Sequence, residues 1–211
     1  GRNQEKLTSF CRDFGIPRSY DSPEQLLESP EIDAIYLATP PHLHAAHSCA
    51  ASKAGKHVLV EKPMAISVRT CQLINEAAAR NGRIISVAEN FRRDPSARVV
   101  RHLLEQGEIG TVHMALVHLL SGGNQIFISP WRHKKEMGGF ILDMTVHNTH
   151  MIRYQLGDIA EVYGDAKMVE PVRHKPGAAS MNYEFYRRRF EGMDAEIPAA
   201  VEDTTQALFR M

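Results

Sequence analysis

Apolar positions along the 211-residue chain switch between a period near 3.6 and short continuous runs. In residues 3–14, Leu7, Phe10, Cys11 and Phe14 recur at helical spacing, and Gly15 and Pro17 supply the stop. Ser22 and Pro23 sit at the cap and first-turn positions of a second short helix, whose apolar side is Leu26 and Leu27. Residues 32–38 form a mostly apolar run of strand length, ended by Thr39-Pro40-Pro41. The alanine-rich stretch 42–54 predicts a helix closed by Gly55. A second buried strand, His57-Val58-Leu59-Val60, ends in Glu61-Lys62-Pro63. Residues 67–80 predict another helix, with Val68, Cys71, Ile74, Ala77 and Ala78 inward, and residues 84–88 the next strand.

Strand, helix, strand, helix, strand at this spacing is two successive βαβ units, and right-handed crossovers make the three strands parallel. Thr39-Pro40-Pro41, Glu61-Lys62-Pro63 and Glu89-Asn90 then share one carboxyl edge, where open α/β sheets bind ligands. Residues 95–107 predict a helix, and residues 111–120 have strand character. There the βαβ rhythm stops, which places a domain boundary near residue 93. A loop over 122–135, a long helix over about 140–156 and strands from Val162 onward, through 184–190 and 204–211, complete the pattern. The expected fold is α/β: a partial parallel sheet in residues 1–93, then an α+β domain in 94–211 with an open, mainly antiparallel sheet.

Charge selects neither nucleic acid nor membrane, because 25 basic and 25 acidic side chains balance. The run Arg187-Arg188-Arg189 lacks interleaved aromatics and is expected to be a solvated strand face. A small, roughly neutral partner fits better. Three cysteines with no CxxC favour a reducing compartment, and the chain carries no signal-peptide pattern and no long apolar run, so the expectation is cytoplasmic. The first residues read as part of a helix without an initiator Met, and both ends are expected to be cut.

Two constellations carry candidate chemistry. Pro63 keeps Lys62 out of the helical region, so the lysine is aimed from a strand end, where partial desolvation would suit it to acid/base work. A solvated lysine paired with a neighbouring glutamate is the plain alternative. Asp143 and His147, four residues apart on one helix face, form a second possible proton relay, with Met151 and Tyr154 continuing the stripe. An ordinary surface ion pair is the alternative there. Gly138-Gly139 upstream permits a close approach to the helix start. Neither His42-x-His44-x-x-His47 nor His147-x-x-His150 has partners that close a zinc site, so no metal is expected.

Taken in order, Ala38-Thr39-Pro40-Pro41-x-x-His44, Gly55-Lys56-His57-Val58-Leu59-Val60-Glu61-Lys62-Pro63 and Gly138-Gly139-x-x-x-Asp143-x-x-x-His147 resemble the glucose-fructose oxidoreductase, inositol dehydrogenase and rhizopine catabolism (Gfo/Idh/MocA) family. The resemblance implies a Rossmann NAD(P)-binding domain and a C-terminal substrate domain whose sheet often forms a homo-oligomer. It implies that Lys62 holds the reacting oxygen, His147 transfers the proton, and Asp143 binds substrate and tunes it. By the same resemblance Thr39, Pro40, Pro41, His44, Glu61, Lys62 and Pro63 line the nicotinamide and its ribose. Asn90, Arg92, Trp131 and Arg132 match further positions near cofactor and substrate. The implied activity is hydride transfer between a nicotinamide and a hydroxyl or carbonyl of a sugar, cyclitol or related polyol. An NAD-dependent redox-assisted glycosidase and a non-catalytic fragment are the alternatives. The sequence departs from the family in lacking GxGxxG, the turn that cradles the pyrophosphate, and in carrying His150 where many members have Asp. Arg2, expected just after the family's second strand, favours NADP over NAD through the 2′-phosphate.

Overall fold

The structure is a computed structural model that describes residues 3–120, 123–177 and 190–211. Arg2, the run at 187–189 and most of the strand expected at 184–190 lie outside the described residues. The chain divides into two compact units, Gly1–Ala88 and Glu89–Met211. Residues 89–93, assigned to the first domain from sequence, belong to the second unit, because the 3₁₀ turn Phe91–Arg93 packs on the helices that follow it.

In the first unit, α1 (Gln4–Asp13) and α2 (Pro23–Glu28) precede β1 (Ala34–Leu37), α3 (Pro41–Lys53), β2 (His57–Val60), α4 (Val68–Arg80) and β3 (Ile85–Val87). Asn3 and Ser22 cap the first two helices by accepting the backbone N–H groups of Lys6 and Gln25. Ser67 and Thr70 form a reciprocal capping box at the start of α4. The strands lie side by side in the order β1-β2-β3, all parallel, with Leu37 opposite Val60 and Val60 opposite Val87. Leu37, Ala51, Val58 and Val60 form the buried cluster. Ile74, Ala77 and Ala78 are the buried residues of α4. This register sets Thr39, Glu61 and the residues after Val87 at one carboxyl edge.

The second unit contains α5 (Pro95–Gln106), α6 (Gly139–Leu156), β4 (Glu161–Lys167), β5 (Val172–His174), β6 (Glu196–Pro198) and β7 (Thr204–Arg210). Its strands pair antiparallel as β4–β7 and β5–β6, two separate ladders among the described residues. Ile126, Phe190, Ala199 and Val201 are buried here. Residues 111–120 are not a strand. Their side chains are exposed, Leu120 at 91%, and no strand among the described residues pairs with them. Alternating apolar residues give β character, but a strand needs a partner ladder.

Candidate active site

In the first unit the edge is tied together by a buried imidazole. His44, on the first turn of α3, is 0% exposed, with Nε2 2.7 Å from the Thr39 carbonyl oxygen and Nδ1 2.8 Å from that of Pro63. It therefore braces the turn after β1 against the turn after β2, and its ring atoms are engaged with backbone. Thr39 and Pro40 are half-buried and Pro41 is buried at the start of α3. Glu61 accepts the Tyr36 hydroxyl on Oε1, a bond that raises the phenol above its ordinary value. Its Oε2 accepts the Lys62 backbone N–H at 3.3 Å. Lys62 is half-buried between Glu61 and the buried Pro63. An open recess lined by Arg18, Ser19, Tyr20, Gln25, Glu28 and Ser29 contains none of the residues assigned from sequence.

In the second unit two buried carboxylates organise α6 and the turns packed on it. Asp143, 2% exposed, accepts Arg132 Nε at 2.7 Å, and Arg132 Nη1 donates to the buried Ser129 hydroxyl at 2.7 Å. The same guanidinium lies 4.3 Å from the centre of the Trp131 ring. His147, 6% exposed, has its Nδ1 2.8 Å from Glu89 Oε1, and its ring stacks on Phe91 at 3.9 Å with 10° between the planes. Helical spacing offers Asp143 and His147 as a possible proton relay or an ordinary ion pair. The structure sets Glu89 against His147 Nδ1 and Arg132 against Asp143. Glu89 was visible only as a residue at the sheet edge, since its partner lies 58 positions away. Asn90 is exposed, and Arg92 lies over the Tyr154 ring at 5.1 Å.

The described residues thus form two sets, one per unit. The first sets a lysine at a parallel-sheet edge. The second holds an imidazole against a carboxylate and a second carboxylate against a guanidinium. Such groups hold and move protons and bind hydroxyls.

Residues 1–89 match the model of the oxidoreductase family with an NAD-binding Rossmann fold, and residues 97–211 match the GFO/IDH/MocA C-terminal domain. The chain belongs to the Gfo/Idh/MocA oxidoreductase family. It is 32% identical over 160 residues to 1,5-anhydro-D-fructose reductase of Ensifer adhaerens, covering 73% of this chain and 46% of that protein. It is 30% identical over 164 residues to levoglucosan dehydrogenase of Pseudarthrobacter phenanthrenivorans, covering 76% and 42%. A solved levoglucosan dehydrogenase in complex with NADH and L-sorbose superimposes with a TM-score of 0.76 at 26% identity, covering 100% of this chain and 53% of that one. The chain spans about half the length of the curated relatives it matches.

Proposed function

We propose that the protein is an NAD(P)-dependent oxidoreductase that moves hydride between the nicotinamide and a hydroxyl or carbonyl of a sugar, cyclitol or related polyol. The observation that carries this reading is the buried His147 imidazole, held on one nitrogen by Glu89, within a family of NAD-binding oxidoreductases. Similarity to a 1,5-anhydro-D-fructose reductase and to a levoglucosan dehydrogenase supports the substrate class.

The cofactor would meet a partial site. Thr39, Pro40 and Lys62 are accessible in part at the ends of adjacent parallel strands, which fits the nicotinamide half of a dinucleotide. No GxGxxG occurs in the 211 residues, so no residue here is assigned to the pyrophosphate. When bound, the cofactor supplies the hydride acceptor. The chain's own residues do the rest: Lys62 holds the reacting oxygen, His147 takes the hydroxyl proton, and Asp143 binds a neighbouring hydroxyl. NADP is the preferred form on the strength of Arg2. A cytoplasmic homo-oligomer built through the C-terminal sheet completes the reading. All seven residues of β4 are exposed, including Val162 and Tyr163.

The test is turnover of a panel of sugars and cyclitols by the complete protein with NAD and NADP, followed by nicotinamide absorbance. Lys62→Ala and His147→Ala are each expected to lower kcat roughly a hundredfold or more. Turnover within a few-fold of the parent in either variant would remove that residue from the mechanism, and sugar release without net cofactor change would replace the dehydrogenase by the glycosidase.

A further inference from the structure

We propose that Glu89 and Phe91 are positioning residues that decide which nitrogen of His147 takes part in the chemistry, an inference that rests on the reading of His147 as the proton carrier. Glu89 Oε1 faces two groups, the Phe91 backbone N–H at 2.9 Å and His147 Nδ1 at 2.8 Å. The Phe91 N–H can only donate, so Oε1 is an acceptor there and directs its remaining lone pair at the ring. A carboxylate has no hydrogen to donate, so with Glu89 as a carboxylate the hydrogen between Oε1 and the imidazole sits on Nδ1.

A neutral imidazole carries one N–H, so Nε2 is left with the lone pair. That is the nitrogen able to accept a hydroxyl proton. In the other tautomer Nε2 would already hold a hydrogen and could not act as a base. Glu89 thus sets the reactive form of the ring through its far edge, as a buried carboxylate does in other acid/base sites.

Phe91 adds a restraint of a different kind. Its ring lies 3.9 Å from the His147 ring at 10°, which restricts the rotation that would exchange Nδ1 and Nε2. One short segment therefore grips the imidazole by edge and by face. Glu89 is held for this role by the Phe91 N–H and by burial at 9% exposure. Its Oε2 is buried without a hydrogen-bond partner among the described residues, so no second donor draws the carboxylate away from the ring.

The experiment is long-range ¹⁵N–¹H correlation spectroscopy of the 211-residue chain labelled at histidine, at a pH where the ring is neutral, with His147→Gln used to assign its signals. The parent is expected to show the hydrogen on Nδ1. Glu89→Gln keeps a carbonyl acceptor and is expected to retain that tautomer, whereas Glu89→Ala is expected to give a mixture. In the complete enzyme, Glu89→Ala is expected to lower kcat about tenfold or more with KM nearly unchanged, and Glu89→Gln to recover most of it. A parent ring carrying its hydrogen on Nε2, or an unchanged tautomer in Glu89→Ala, overturns the clamp, and the parent spectrum decides even if a variant folds poorly. The expected spectra together with near-parent turnover of His147→Ala would leave the clamp standing and overturn the proton-carrier reading instead.

Discussion

His133 is a second buried histidine in the C-terminal unit, and its surroundings oppose a second proton. It is 2% exposed, its Nε2 accepts the Phe127 N–H at 3.1 Å, and its Nδ1 is buried without a partner among the described residues. Protonating Nε2 would break the Phe127 bond. Burial first, then the nearby Arg173 and Arg132 guanidinium groups, push its pKa down to about 4, against a smaller upward pull from Asp203. Above pH 6.5 the ring is neutral in both folded and unfolded chains. As pH falls from 6.5 toward 4, the unfolded chain binds a proton that the folded chain refuses, so stability falls in that window, by at most about 3 kcal/mol. His133→Gln does not titrate and can still accept the Phe127 N–H. Urea unfolding of both chains at pH 7 and pH 4.5 is expected to show the larger acid loss in the parent. Equal losses would mean that His133 is not held neutral.

Helices and their ends were the most legible level of this chain, because the signals that define them are local. Ser67 illustrates this: it caps α4 by accepting the Thr70 N–H at 3.2 Å, and Ser67→Ala is expected to lower the thermal midpoint by an amount equivalent to about 1 kcal/mol. Gly139 is a sharper case. Its φ of 77° lies in the left-handed region, and an added Cβ would meet Val201 Cγ1 at 3.1 Å. Gly139→Ala combines backbone strain with a tight contact and is expected to cost about 1–3 kcal/mol in denaturant unfolding. The sequence placed Gly138-Gly139 at the start of α6, but not Val201, which comes from a distant segment. The same division explains residues 111–120 and Glu89. Alternation within ten residues is readable, but the presence of a pairing strand is not. Likewise, Lys62, Asp143 and His147 stand out by motif, whereas the carboxylate on His147 Nδ1 depends on which distant turn packs against α6.

Across the whole molecule, the three-stranded parallel sheet carries a lysine edge, and the 211 residues contain no GxGxxG, the glycine turn that lets backbone approach a pyrophosphate. Much of a dinucleotide's binding free energy is anchored at that turn, through backbone N–H groups and the positive end of a helix. The nicotinamide half alone has to offset the lost translational and rotational freedom of the ligand. The 211-residue chain is therefore expected to show no saturable binding of NADH or NADPH below about 1 mM in a cofactor-fluorescence titration. A protein that supplies the glycine turn as well is expected to bind both, with NADPH favoured and Arg2→Ala reducing that preference about tenfold, the scale of one charge-assisted phosphate contact. Tight binding by the chain as it stands would place the main anchor at Thr39, Pro40 and Lys62 instead. An Arg2→Ala enzyme with unchanged preference would move the choice between NAD and NADP to another residue.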